Sequence, residues 1–197
     1  MFTGLIEEKG KIVSSKITQT GKQIIVSASP IFIEKIKIGD SISINGVCQT
    51  AIKIESNNFY VDVMQESLKK TTLNNLLPKQ NVNLELAITI NTRIGGHIVQ
   101  GHIDTIGQII QIINTHSLKE FYISYPLEYR KYLAPTGSVA IDGVSLTTAE
   151  IFDKSFKVAL IPHTLTNTLF SEYKVGDKVN IEFDIIGKYV EQMLNKN

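Results

Sequence analysis

Several residue types are scarce in this chain of 197 residues, and each scarcity excludes something. There is one cysteine, Cys48, so no internal disulfide can form and a cysteine-based metal site is ruled out. Tryptophan is absent, and the only arginines are Arg93 and Arg130. A phosphate site usually uses an arginine fork or a glycine loop that opens a helix. Neither GxxxxGK[ST] nor GxGxxG occurs, so an uncharged ligand is expected. The net charge of +1 offers no basic surface for nucleic acid or for an acidic membrane. No apolar run reaches membrane-spanning length. The first residues, MFTGLIEEKGKI, lack a basic region followed by an apolar stretch, and a cytoplasmic protein is expected.

What the chain does have is a repeat. Residues 40–50, DSISINGVCQT, return 97 positions later at 137–147 as GSVAIDGVSLT. Ser41 falls on Ser138, Ile44 on Ile141, Gly46 on Gly143, Val47 on Val144 and Thr50 on Thr147. A fixed offset of about half the chain points to one folding unit used twice. Two units of about 100 residues can each bury a core. The expected boundaries are 1–96, 97–186 and a tail at 187–197. Residues 91–97, NTRIGGH, read as a linker.

The same offset runs along the whole chain. Gly4 falls on Gly101, Ile6 on Ile103, Gly10 on Gly107 and Ile12 on Ile109, in segments that read as the first strand of each half. Residues 23–28 and 120–124 are short β-branched or aromatic runs that read as strands. Pro30 and Pro126 follow them and start helical turns over 31–36 and 127–133. Strands are expected at 41–44, 58–64, 82–90 and 179–186, where VNLEL and VNIEF alternate as half-buried strands do. Residues 65–77 and 162–173 read as short helices or loops across a barrel end. The fold class is therefore all-β: two tandem units of about six short strands, each a small barrel or sandwich. Closure is favoured because an open sheet this apolar would leave reactive edges. In the tail, Tyr189, Val190, Met193 and Leu194 recur at helical spacing. So short a helix is marginal in water and must pack on its own barrel or on another subunit.

Chemistry is expected where the matched halves differ. His102 falls on Leu5, Ser145 on Cys48, Asp142 on Asn45, Thr164 on Ser67, Ala159 on Asp62 and Asp184 on Ala87. His102 would place a group that titrates near neutral pH in one of two matched sites. Cys48 could be a nucleophile with a base beside it, a small buried residue, or a hydrogen-bonding group at a ligand. His97 and His102 lie five apart, on opposite faces if the segment is a strand, so no metal is expected there. His116 reads as solvated surface.

MFTGLI, the pair NGVCQT and DGVSLT, the junction GGHIVQGHID and IPHTL together resemble the riboflavin synthase α-chain family over the whole chain. The resemblance implies two six-stranded antiparallel Greek-key barrels and a C-terminal helix that joins three subunits into a homotrimer. It implies cofactor-free dismutation of two 6,7-dimethyl-8-ribityllumazine molecules to riboflavin and 5-amino-6-ribitylaminouracil, and association with lumazine synthase. The reacting pair would lie between the first barrel of one subunit and the second barrel of a neighbour. Carried over by motif, the first site would use Gly4, Leu5, Ile6, Cys48, Gln49, Thr50, Asp62, Val63, Met64, Gln65, Glu66 and Ser67. The second would use Gly101, His102, Ile103, Thr136, Ser145, Leu146, Thr147, Leu160, Ile161, Pro162, His163, Thr164 and Leu165. His102, Ser41, Cys48, Ser145 and Asp184 are the candidates for proton handling or nucleophile activation. Thr136 and Gln49 depart from the family pattern, which commonly has lysine and leucine there. The rival readings are a non-catalytic lumazine- or flavin-binding protein and a flavin-dependent reductase barrel.

Overall fold

The computed structural model describes residues 1–115 and 118–194; His116 and the last tail residues fall outside them. The first half forms β1 (Glu8–Ile17), β2 (Gly21–Ser27), β3 (Ser41–Ile44), β4 (Val47–Thr50), β5 (Lys53–Glu55), β6 (Asn58–Met64) and β7 (Asn81–Leu86). The second forms β8 (Thr105–Asn114), β9 (Lys119–Ser124), β10 (Ser138–Ile141), β11 (Val144–Ile151), β12 (Ser155–Leu160) and β13 (Lys178–Phe183). All pairings are antiparallel.

β8 to β13 close into a six-stranded barrel in the order β10-β11-β12-β9-β8-β13. The first half is a seven-stranded sheet, β4-β3-β7-β1-β2-β6-β5, in the same cyclic order. Its two end strands, β4 and β5, are consecutive in the chain and together match β11. Where β11 shifts register between Thr148 and Glu150, the first half breaks its strand at Ala51 and Ile52. There Ala51 N donates to Asp40 O and Ile52 N to Tyr60 O, both at 2.9 Å, so the bend is tied to both sides. A second matched irregularity lies in the first strand of each half. Register slips between Ile12 and Ser14 in β1, and between Ile109 and Gln111 in β8. A bulge adds twist, which a small barrel needs to close.

Asn45-Gly46 and Asp142-Gly143 make the two hairpin turns, with φ of 47° and 79°, and 43° and 82°. Two successive positive φ values mark the tight turn that suits strand twist, and Asn-Gly and Asp-Gly are its usual sequences. The turns meet back to back. A Cβ on Gly46 would stand 2.6 Å from Gly143 N, so neither glycine can carry a side chain.

The barrel ends are covered by short helices. Ser29 caps α1 (Pro30–Ile33), its Oγ accepting from Phe32 N at 3.2 Å with Pro30 at the first position. α2 (Gln65–Lys70) and α3 (Pro162–Asn167) each run into a 3-10 turn, at Thr72–Asn75 and Leu169–Ser171. Thr71 and Thr168 sit at those joints, donating to Ser67 O and Thr164 O at 2.7 Å. Each barrel holds its own core, around Ile24, Ile42, Phe59 and Leu84 in the first and Phe121, Phe156, Phe170 and Phe183 in the second.

Four sequence expectations need correction, the first being that the strands expected over 82–90 and 179–186 end at Leu86 and Phe183. Residues 2–7 and 99–104 are not regular strands; β1 and β8 start only at Glu8 and Thr105, and His97 and His102 lie on no strand. VNLEL and VNIEF are not half-buried: Asn83, Glu85, Asn180 and Glu182 are as buried as the apolar residues between them. The tail helix, α4 (Ile185–Leu194), begins two residues early, because Asp184 Oδ1 accepts from Ile186 N at 3.0 Å.

Candidate ligand sites

The segments before β1 and β8 lie between the barrels and cross over. Phe2 and Val99, which occupy equivalent positions, pair with each other through Phe2 N to Val99 O (2.7 Å) and Val99 N to Phe2 O (3.1 Å). Beyond that pair each lead-in reaches the other half. Cys48 N donates to Gly101 O at 2.9 Å, and Ser145 N donates to Gly4 O at 2.8 Å. Gly101 and Gly4 have φ of 83° and 76°. A Cβ on them would stand 2.6 Å from Cys48 Cβ and 2.5 Å from Ser145 Cβ, so this close dock requires glycine.

The motif grouping is thereby exchanged. Gly101, His102 and Ile103 belong with Cys48, and Gly4, Leu5 and Ile6 with Ser145. Packing agrees: Ile103 lies against the first core and Ile6 against the second. The physical reason is backbone satisfaction. β4 and β11 need a partner where their own barrels run out, and the opposite lead-in supplies it.

At the first site a cleft of about 300 Å³ is lined by Val47, Cys48, Glu66, Ser67, Lys70, Thr71, Gly101, His102 and Ile103. Cys48 and Ser67 are half-buried, and the His102 ring is exposed at the rim. Glu66 and Lys70 form an ion pair of 2.9 Å along α2. Gln49 is buried, its amide donating to Cys48 O at 2.7 Å. Thr50 is exposed at the end of β4, opposite Ser41. Asp62 is exposed and accepts from Gln23 Nε2 at 3.0 Å, Val63 is in the core, and Met64 and Gln65 are exposed.

At the second site Ser145 Oγ lies 2.7 Å from His97 Nδ1. His97 is buried, and burial pulls its imidazole below the ordinary value while Asp184 acts in the opposite direction. The direction of this bond follows the tautomer: a neutral ring protonated at Nε2 accepts the serine hydroxyl at Nδ1, and one protonated at Nδ1 donates to the serine oxygen. His97 has no counterpart in the first half, because position 97 matches no residue there. Gly4 is buried, Leu5 exposed and Ile6 half-buried. Leu146 is half-buried against the core, and Thr147 is exposed opposite Ser138. Leu160 is a core residue, Ile161 and His163 are exposed, Pro162 opens α3, and Thr164 and Leu165 are half-buried. Thr136 sits in the turn before β10 with φ 60°, bonded to Pro135 and Thr148 rather than to this group. Ser41 and Asp184 bond within their own barrels, Ser41 O accepting from Ala87 N at 3.3 Å and Asp184 capping α4.

Two residues that hold this arrangement escaped the motif reading. Glu85 Oε1 accepts from Thr3 N (2.6 Å) and Thr3 Oγ1 (2.7 Å), and its Oε2 from Gly4 N (3.1 Å). Glu182 accepts from Gln100 N (2.6 Å), Gly101 N (2.9 Å) and His102 N (3.0 Å). Burial raises both carboxyls, Glu182 to about 7, against the lowering effect of those N–H groups. Their identity at matched positions inside a strand was the available signal.

The lumazine binding domain family matches residues 3–87 and 100–184, which is most of the chain. A riboflavin synthase from Actinobacillus pleuropneumoniae is 44% identical over 197 residues, covering 100% of this chain and 91% of that protein. The riboflavin synthase of Bacillus subtilis (strain 168) is 42% identical over 196 residues, covering 100% and 91%. Among solved structures, LumP complexed with riboflavin superposes with a TM-score of 0.87 at 21% identity, covering 93% of this chain and 99% of that one. LumP complexed with 6,7-dimethyl-8-(1'-D-ribityl) lumazine gives a TM-score of 0.83 at 22% identity, covering 92% and 98%.

Proposed function

The chain belongs to the riboflavin synthase family, and from that premise we propose that it dismutates two molecules of 6,7-dimethyl-8-ribityllumazine. One molecule gives a four-carbon unit to the other, yielding riboflavin and 5-amino-6-ribitylaminouracil, with no cofactor. The observation that carries this reading is the reciprocal dock of Gly101 on Cys48 and Gly4 on Ser145. It makes twin sites for identical guests and leaves them with different reactive groups, which a reaction between two copies of one molecule requires.

The main contribution to rate is orientation: holding two rings in reactive geometry removes much of the entropic barrier. The Ser145–His97 pair is suited to take a proton from the acidic C7 methyl, as a buried neutral imidazole can. Cys48 and His102 serve the first site at the strand end and the rim. Ser41 and Asp184 act on a guest shared with a neighbouring subunit, since the two residues belong to different barrels. The hydroxyls and backbone groups of Thr50, Thr147, Ser67 and Thr164 bind the ring edge and ribityl chain. The exposed apolar face of α4 joins three subunits, and lumazine synthase is a further partner. Cytoplasmic location fits a reaction whose substrate is a soluble metabolite.

The test is a steady-state assay of purified protein with the lumazine alone, following riboflavin by absorbance. One riboflavin should form for each two lumazines consumed. Bound lumazine with no product, even at enzyme excess, would leave only a binding role.

A further inference from the structure

We propose that Glu182 and Glu85 are positioning residues that act on the opposite barrel's site: Glu182, on the second barrel, sets the cleft at Cys48, and Glu85, on the first, sets the group around Ser145. Glu182 is 1% exposed and gathers three consecutive backbone N–H groups, of Gln100, Gly101 and His102. Glu85 is 3% exposed and holds Thr3 and Gly4 in the same way. The next bond along each lead-in crosses to the other half, through Gly101 O to Cys48 N and Gly4 O to Ser145 N. Each glycine is thus pinned on one face by a carboxylate and on the other by a strand of the partner barrel. His102 and Ile103 line the first cleft because the preceding peptides are fixed.

The chemistry explains why the residue is a glutamate. Two carboxylate oxygens offer about four lone pairs and no donor, which suits several converging N–H groups. An amide presents one acceptor and two donors, so at least one N–H of the cradle would face another donor. An apolar side chain would leave all of them buried and unpaired. These acids do not touch the proposed substrate; they act through the lead-in. The inference rests on the two groups being the ligand sites proposed above, so its first test uses no ligand.

Cys48 is the chain's only cysteine and lies under Gly101, hydrogen-bonded to it, which makes its thiol a direct reporter of the lead-in before β8; the other lead-in reaches it only through the packing of Phe2. Alkylation by iodoacetamide at pH 8, followed by intact mass, is compared for wild type, E182Q and E85Q. Loss of one charge-assisted bond in the cradle should speed Cys48 alkylation in E182Q by about tenfold or more. E85Q should stay within about twofold of wild type at a comparable loss of Tm. Equal acceleration in both, or acceleration in E85Q alone, overturns the proposal, since a merely structural role would track Tm and ignore the crossing. Should E182Q fail to fold, E182D keeps the charge but withdraws it by one methylene, with the same two outcomes. Turnover provides a separate readout: E182Q should raise KM more than it lowers kcat. An inactive wild type with the alkylation pattern intact would sink the synthase reading and leave the crossing standing.

Discussion

Asn83 and Asn180 each complete a turn in the half to which they do not belong. Asn83 Nδ2 donates to Asp142 O at 3.0 Å, and Asn180 Nδ2 donates to Asn45 O at 2.8 Å. Their amide oxygens accept, also across the halves, from Leu169 N at 2.9 Å and Thr72 N at 2.7 Å. Both asparagines are fully buried. Within each half the turn returns the favour, Asn45 Oδ1 and Asp142 Oδ1 accepting from Asn83 N and Asn180 N. The barrels are therefore joined at this face by directional amide bonds as well as by apolar packing. Such bonds fix register, and register decides whether each lead-in meets the correct strand.

Asn180→Ala should lower stability by about 2–5 kcal/mol, because Asn45 O and Thr72 N lose their partner in a buried place. Urea unfolding followed by circular dichroism measures this. A loss below about 0.5 kcal/mol, the scale of an ordinary surface change, would show that water replaces the amide freely.

Asp142 should make stability fall as pH rises. Burial raises its carboxyl to about 7, well above the unfolded value, with the hydrogen bonds of Tyr173 and Asn180 opposing. The folded state then holds a proton that the unfolded chain has released between about pH 4 and 7. The associated stability is full below that window and is lost as pH climbs through it. Glu182 adds the same sign, with its carboxyl also at about 7. Asp142→Asn copies Asn45 in the first half and keeps the acceptor for Asn180 N. The variant should fold, and its Tm should change less between pH 5 and 8 than that of wild type. An unchanged slope would mean that Asp142 does not titrate there.

Much of this was legible in the sequence, for reasons specific to particular residues. The repeat was visible because Gly46 and Gly143 can be nothing else, and the frame around them is held with them. The strands were readable from β-branched runs, and the helical turns from Pro30 and Pro126. The crossing was not readable. Motif order places Gly4 before Cys48, and only the three-dimensional pairing of Phe2 with Val99 shows that the lead-ins exchange. The polar residues of VNLEL and VNIEF were misread because alternation normally means one wet face, whereas here both faces are covered. In the sequence His97 reads only as a candidate metal ligand, because its partner Ser145 lies 48 residues away.

Ser145→Ala and His97→Ala should each lower turnover by about 10²–10⁴-fold if the pair acts as one proton-handling unit. The double variant should then be no slower than the slower single one, since groups acting together are not additive. Single-turnover formation of riboflavin is the measurement. Losses that multiply would assign the two side chains separate tasks.

His102→Ala isolates the rim of the first cleft. Its backbone N–H is bound by Glu182 whatever the side chain, and the ring is exposed, so folding should be unaffected. Turnover should fall far more than affinity for a lumazine analogue measured by fluorescence quenching. Equal losses would make His102 a binding residue only.

α4 offers the cleanest test of assembly. One side of it is committed to its own barrel: Lys188 pairs with Asp104 at 2.6 Å, Glu191 with Lys131 at 2.8 Å, and Gly187 stands against Tyr132. The other side leaves Ile186 63%, Tyr189 61% and Met193 72% exposed, an apolar strip that a lone subunit would show to water. Met193→Glu costs the isolated subunit little, because an exposed methionine contributes almost nothing to its core. In a trimer joined through this strip, three glutamates would face one another. The sedimentation coefficient should therefore fall from that of a trimer to that of a monomer, with the Tm of the barrels held within a few degrees. An unchanged coefficient would remove α4 from the subunit contact, and the shared site between neighbouring subunits would go with it.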